Sequence, residues 1–275
     1  MSRRSKTGKQ LTPPAADETT EKGGVQSVEV GMTVLKVLAD SGGAQHLSRI
    51  AESAGIHTAK AHRYLASLMR SGFVDRESKT NRYVLGPEAL RVGLVALART
   101  DVVDVAGTEL DVLRDKISAT LLLAVWSRTG PTIVRWVESG RPVTVNVRAG
   151  SHMPVLKSAT GQVFAAFLPT GIVQPFIEAE LIELKRQKLP TPSIAEIKAK
   201  LEKVRKVGLG HTAGEMLPGV LALAAPIFNY QREIVGVIAA LGPKGFFNDS
   251  FGGDTARELR LAAASISERL GSKNS

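Results

Sequence analysis

The chain has 275 residues, 43% of them hydrophobic and 23% charged, with a formal charge of +10 and a pI near 9.9. That length accommodates about two domains with a sizeable core. The lack of cysteine excludes disulfides, thiolate metal sites and cysteine nucleophiles and fits a reducing compartment. The N-terminus has no apolar signal core, and no run approaches the ~20 apolar residues of a membrane span, so the expected location is the cytoplasm, with no membrane partner.

A basic surface attracts polyanions. Residues 1–24 carry five Lys/Arg against three Asp/Glu, residues 25–100 ten against six, and residues 101–275 twenty-one against seventeen. The 76-residue middle segment, at +4, therefore matches the net charge of the 175 residues after it, as a phosphate-binding module requires.

Residues 1–24, rich in Lys, Arg, Ser, Thr, Pro and Gly, bury too little apolar surface to offset the entropy of ordering and are expected to be a disordered basic tail. Arg3, Arg4, Lys6 and Lys9 either touch DNA phosphate or only solubilise the end. Residues 25–86 read as a DNA-binding domain. Val30, Val34, Leu35 and Leu38 share one side of a first helix. The stretch LSRIAESAGIHTAKAHRYLASLMRS, Leu47 to Ser71, is two short helices: Leu47, Ile50, Ala51 and Ala54 keep helical spacing, Gly55 breaks it, and Leu65, Leu68 and Met69 resume it.

That is the outline of a helix-turn-helix. Its second helix carries Lys60, Arg63 and Arg70 with His57 and His62 and no acid, a composition suited to the major groove. A plain helical hairpin with a solvated basic face is the alternative. FVDRESKTNRYVLGP then supplies two extended runs, Phe73 to Arg76 and Arg82 to Leu85, around a polar turn with Lys79 and Asn81. A charged hairpin behind a recognition helix is the wing of a winged helix, with Arg76, Lys79 and Arg82 placed beside the DNA backbone.

Residues 87–100 form a linker helix that starts at Pro87 and is striped by Leu90, Leu94 and Leu97, a face for packing or for dimerisation. Residues 101–275 form a second domain. It is predicted to hold a helix through Val103 to Ile117, a hairpin turning at Thr129-Gly130-Pro131, and a strand from Arg141 to Arg148. After a loop from Gly150 to Ala159 come a helix from Gly161 to Leu168, a charged helix from Ile177 to Lys188, and a helix on Ile194, Ile197, Leu201, Val204 and Val207 that stops at Gly208. Two long strands, Val220 to Phe228 and Ile234 to Gly242, and a last helix through Leu259 to Leu270 complete an α+β domain with an antiparallel sheet.

Catalytic groups are not in evidence. The histidines, His46, His57, His62, His152 and His211, never stand at i, i+4, and there is no Gly-x-Ser-x-Gly elbow and no P-loop. The chain is not expected to be an enzyme, and no cofactor or metal is called for. A small-molecule sensor acting through a protein partner remains the alternative to a DNA-binding protein.

The motifs VQSVEVGMTVLKVL, AGIHTAKAHRYLASLMRSGFV, NRYVLGPEALRVG, GSHMPVLKSATGQVFAAFLP, VRKVGLGHTAGEMLPGVLALAAPIFN and IVGVIAALGP, in this order, resemble the isocitrate lyase regulator (IclR) family of bacterial transcription factors from Val25 to Leu270. The resemblance implies a winged helix-turn-helix, a linker helix and a C-terminal GAF- or profilin-like effector-binding domain, assembled as a homodimer or a dimer of dimers. The implied partners are a palindromic operator in double-stranded DNA and a small organic acid. DNA contacts are expected from His57, Thr58, Ala59, Lys60, His62, Arg63, Tyr64, Lys79, Asn81 and Arg82. Effector contacts are expected from Met153, Ser158, Ala159, Thr160, Gly161, Glu215, Ala222, Ala239 and Leu241.

Two departures from the family pattern matter. The recognition helix of similar proteins opens with Pro-Lys-Ser-Thr, where this chain has His57-Thr58-Ala59-Lys60, so its operator differs. In the second domain Ala213 and Gly214 stand where acids often occur, and Ala222, Ala239 and Leu241 occupy positions that are Cys or Ser in relatives with small polar effectors. The pocket is expected to be apolar and to take an aromatic or larger acid. The start of the helix after Ser158 either offers its amides to a carboxylate or is merely capped by Ser158 or Thr160.

Overall fold

The computed structural model describes residues 24–98, 101–140 and 147–273. The tail up to residue 23 and most of the strand expected at Arg141 to Arg148 lie outside the described residues. The chain divides into two compact units, Met1–Ala98 and Arg99–Ser275.

The first unit runs α1 (Gln26–Asp40), α2 (Leu47–Ser53), α3 (Thr58–Arg70), β1 (Val74–Arg76), β2 (Tyr83–Leu85) and α4 (Pro87–Ala98). Its core is small. Val34 and Leu38 from α1, Ile50 from α2, Leu65 and Leu68 from α3, and Val74 and Tyr83 from the hairpin pack together, each apolar side chain contributing about 1.5–3 kcal/mol by burial. Gly55 takes φ +63° at the turn between α2 and α3, a conformation open to glycine at no steric cost, and the Ile56 amide closes that turn on the Ala51 carbonyl at 3.0 Å.

The wing pairs Val74 with Leu85 and Arg76 with Tyr83. Gln45, between α1 and α2, exchanges both main-chain hydrogen bonds with Tyr83, at 2.9 and 2.8 Å, and so fastens the wing to the helices. In α4 Leu90 and Leu94 of the expected apolar stripe are 64% and 54% exposed. On the same helix the Arg91 guanidinium grips Glu88 through both carboxylate oxygens, and that hydrogen bonding lowers the Glu88 pKa from its ordinary value.

The second unit runs α5 (Val102–Ile117), β3 (Thr120–Ser127), β4 (Gly130–Val137), α6 (Ala159–Phe167), α7 (Thr170–Arg186), α8 (Ile194–Val207), β5 (Gly210–Ala213), β6 (Val220–Phe228), β7 (Ile234–Pro243) and α9 (Asp254–Arg269). The strands form an antiparallel sheet in the order β4-β3-β7-β6-β5. Leu121, Leu123, Leu223 and Ile238 pack under α5 and α9 on one face. Leu122, Ala124, Ala224 and Ala239 pack under α6, α7 and α8 on the other. Because β3, β6 and β7 are covered on both faces, they read as continuous apolar runs and not as alternating ones.

Several boundaries differ from expectation. The β3–β4 turn lies at Arg128-Thr129, because Ser127 already pairs with Gly130 and Gly130 opens β4 at φ +93°. Helix α6 starts two residues earlier than expected, with Ser158 as its cap. Helix α7 starts at Thr170 and runs through Pro175; a proline loses one main-chain bond but does not stop a helix that is packed elsewhere. The short strand β5 was absent from the expectation.

Helix α8 has the expected bounds. Its start is a full capping box, with the Ser193 amide donating to Glu196 Oε2 at 2.7 Å and the Glu196 amide donating to Ser193 Oγ at 3.2 Å, and its end is Gly208 at φ +72°. The hydrogen bond from the Ser193 backbone holds the Glu196 carboxyl below its ordinary range. A lowered folded-state pKa contributes stability above the unfolded pKa and loses it as pH falls through the folded one. Thermal unfolding of wild type and Glu196→Ala is therefore expected to differ at neutral pH and to converge in acid below the carboxyl range.

Candidate functional site

In the first unit the exposed side of α3 and the base of the wing enclose an open groove of about 1030 Å³. His57, Ala59, Lys60, His62, Arg63, Tyr64, Arg70 and Arg76 line it, and no aspartate or glutamate does. Helical spacing builds this face: Ala61, Leu65 and Leu68 turn inward, which leaves Lys60, His62 and Arg63 outward. Thr58 is also exposed, at the first turn. Tyr64 is half-buried, its ring lying near Gly31 of α1.

The wing residues are not all in the groove. Lys79 and Asn81 are exposed at the wing tip, Asn81 with φ +57°. Arg82 Nε donates to His46 Nε2 at 3.1 Å. Arg76 stacks over the Tyr83 ring, 5.6 Å from its centre, which keeps its charge facing the groove. The surface that results is cationic, concave and backed by a rigid helix, and it fits a phosphate-bearing duplex.

In the second unit a cavity of about 40 Å³ lies between the start of α6 and strands β3, β4, β5, β6 and β7. Of the residues expected to contact an effector, Met153, Ser158, Ala159, Thr160, Ala222 and Leu241 line it, joined by Leu122, Trp136, Val147, Thr212, Met216, Leu217 and Val220. Ala222 and Leu241 are direct cross-strand partners. Trp136 and Thr212 are not among the residues expected from the sequence; Trp136 lies on the predicted hairpin strand β4, whereas Thr212 lies on β5, which carries no sequence signal. The hydroxyls of Ser158, Thr160 and Thr212 sit on buried residues in an otherwise apolar wall.

Three expected effector residues do not line the cavity. Gly161 has its amide taken by Ser158 Oγ at 2.9 Å, and its α-carbon faces the Pro154–Val155 backbone, where a Cβ would lie 2.2 Å from the Pro154 carbonyl oxygen. Glu215 is exposed, and its carboxylate turns back to accept the Ala213 amide. Ala239 is buried one pair deeper, between Leu122 and Ala224 beneath α6.

Ser158 caps the helix through Gly161, which is the capping alternative, while the amides of Ala159 and Thr160, like the first amides of any helix, have no hydrogen-bond partner among the described residues. Among the described residues no group of His, Asp or Glu is arranged to hold a metal ion, and no helix is long and apolar enough to cross a membrane.

A winged helix-turn-helix with a cationic groove, joined to a sheet domain, defines a DNA-binding transcriptional regulator. Residues 27–78 match the family model described as the IclR helix-turn-helix domain, and residues 94–268 match the bacterial transcriptional regulator IclR C-terminal domain. The glycerol operon regulatory protein of Streptomyces griseus is 30% identical over 254 residues, covering 90% of this chain and 97% of that protein. The crystal structure of Pseudomonas aeruginosa HmgR superposes with a TM-score of 0.83 at 41% identity, over 91% of this chain and 100% of that one. An IclR homologue from Microbacterium hydrocarbonoxydans, complexed with 4-hydroxybenzoate, shares the fold at 19% identity and a TM-score of 0.51, over 89% of this chain and 99% of that one. The chain belongs to the IclR family of bacterial transcriptional regulators, and is a regulator and not an enzyme.

Proposed function

We propose that this regulator binds a palindromic operator through α3 and the wing as a homodimer or dimer of dimers, and that a small aromatic monocarboxylate in the α6 cavity sets its affinity for that operator. The carrying observation is the apolar cavity at the start of α6, whose wall includes Ala159 and Thr160, residues whose amides have no hydrogen-bond partner among the described residues. The 4-hydroxybenzoate held by the Microbacterium relative supports the aromatic class. The match to the helix-turn-helix family favours operator binding over a sensor that works only through a protein partner.

His57, Thr58, Ala59, Lys60, His62 and Arg63 supply the groove contacts, with Tyr64 at its inner wall and Lys79, Asn81 and Arg82 on the flanking backbone. The outward stripe of Leu90 and Leu94 on α4, with exposed Val28 and Met32 on α1, is the apolar surface a dimer would cover. Reciprocal coupling requires the acid to favour one arrangement of the dimer over the other, and α4 is the covalent path by which that preference reaches the recognition helices.

At about 40 Å³ the cavity has room for a few waters, each needing about 10–15 Å³ of it, and not for an aromatic ring, so a ring enters by displacing wall side chains such as Met153, Met216 and Leu217. Methionine is suited to such movement. Trp136 in the wall gives the test a signal: titration with 4-hydroxybenzoate is expected to change tryptophan fluorescence saturably. Ala222→Phe, which fills the cavity from β6, is expected to weaken that binding at least about tenfold, the scale of overpacking a closed site, while ligand-free operator affinity stays the same. Equal acid affinity in both proteins would place the ligand elsewhere.

A further inference from the structure

The segment that delivers the chain into α6 has two halves with different anchors. Residues 150–153 are pinned to the edge strand β4: the Ile133 amide donates to the Ser151 carbonyl at 3.0 Å, the Gly150 amide to the Ile133 carbonyl at 2.7 Å, and the Met153 amide to the Pro131 carbonyl at 2.8 Å. Residues 154–157 have no strand partner. Their carbonyls are met from α6 itself and its cap, by Ser158 Oγ on the Pro154 oxygen at 2.5 Å and by Gln162 Nε2 on the Leu156 oxygen at 3.1 Å.

The amides of this turn converge on one side chain of α7. Glu180 Oε2 accepts from the Val155 amide at 2.7 Å and the Leu156 amide at 2.9 Å, and Oε1 accepts from the Lys157 amide at 3.2 Å. Three successive N–H groups around a carboxylate form an anion-binding nest, and bonds to an ionised acceptor are roughly twice as strong as neutral ones. Among the described residues these are the hydrogen bonds that tie the turn to an element other than α6. The next residues in the chain are Ser158, Ala159 and Thr160, all of them cavity wall.

We propose that Glu180 is a positioning residue of the effector site. By filling the nest at 155–157 it fixes where the Ala159 and Thr160 amides stand, and it leaves those two as the donors for a ligand carboxylate. The inference rests on the effector reading of the α6 cavity. Glu180→Gln keeps the shape but offers one acceptor oxygen and an NH2 group that faces an amide N–H, while Glu180→Ala empties the nest.

The test uses the full chain with three readouts: hydrogen exchange of the Val155, Leu156 and Lys157 amides without ligand, affinities for 4-hydroxybenzoate and for its neutral methyl ester, and ligand-free operator affinity. Removal of charge-assisted bonds predicts exchange at these three amides at least about tenfold faster in both variants with the sheet unchanged. It predicts a loss of 4-hydroxybenzoate affinity of about tenfold, a narrower preference for the acid over its ester, and unchanged operator affinity. A uniform fall in thermal stability with the acid affinity and the acid-to-ester ratio preserved would overturn the proposal, as would unchanged exchange at Val155, Leu156 and Lys157. If the wild-type chain does not bind the acid, the effector reading fails by itself, and the exchange result still decides whether Glu180 holds the turn.

Discussion

Replacing Lys60 and Arg63 together by alanine is expected to weaken operator binding by roughly 30-fold or more at physiological salt while leaving the fold intact. Both side chains are exposed on α3 and line the cationic groove, and among the described residues neither side chain holds the helix through a hydrogen bond or ion pair. A side chain that reads a base or grips a phosphate contributes about 1–3 kcal/mol to binding, so the pair accounts for roughly 30-fold at the least. Each lost phosphate contact also lowers the slope of log affinity against log salt by about 0.9. The check is a salt series of binding isotherms beside thermal melts of both proteins. A variant that melts like wild type and binds DNA with the same slope would move the interface off α3.

Gly161→Ala should be the most disruptive single methyl group in the second unit. Its Cβ would sit 2.2 Å from the Pro154 carbonyl oxygen, 2.5 Å from the Val155 α-carbon and 2.7 Å from the Val155 oxygen, all backbone atoms. No side-chain rotation relieves such a clash, so either the turn or α6 must move, at about 1–3 kcal/mol or more for overpacking a filled interior. For a unit of this size each kcal/mol lowers Tm by roughly 2–4 °C. The displaced backbone is the turn that Glu180 holds, so acid binding is expected to fall with stability. Gly171→Ala is the control: it lies in α7 with nothing within 4 Å of the added carbon, and losing a helical glycine there should be neutral or stabilising by up to ~1 kcal/mol. Equal melts for the two variants would contradict the packing described for the α6 start.

The parts of the fold legible in the sequence are those where one face is buried and one is wet. Helix α3 declares itself through Leu65 and Leu68 against Lys60 and Arg63, and α8 through Ile197, Leu201 and Val204 against its lysines, while Met69 and Ile194, expected on the same faces, are exposed. The long strands β6 and β7 are legible for the opposite reason, since burial on both faces leaves unbroken apolar runs. Strand β5 is Gly-His-Thr-Ala, four residues with no pattern, and it exists because β6 offers it an edge. The start of α7 was hidden by Pro175, which reads as a breaker but is carried within a helix anchored by Val173 and Leu184.

At the cavity, Ser158, Ala159 and Thr160 were legible only through the family resemblance, as its motif of small residues before a helix; the structure places all three in the cavity wall. Glu180 has no such signature. Its partners are main-chain amides 23 to 25 positions upstream, and a main-chain donor carries no residue identity to read. Glu215 illustrates the reverse case: it matches a motif position, yet its carboxylate is spent on the Ala213 amide beside it. Ala239 differs from Ala222 only by register, since both lie on the same sheet face and one cross-strand pair separates cavity wall from core.

The most direct test of a ligand-set regulator is operator affinity measured with and without saturating 4-hydroxybenzoate, on a duplex first selected from a random pool by the protein itself. The account predicts an enriched palindromic sequence and a shift of at least about fivefold in its dissociation constant, the lower end of ordinary coupling between sites. Identical affinities, with tryptophan fluorescence reporting a filled cavity, would contradict it.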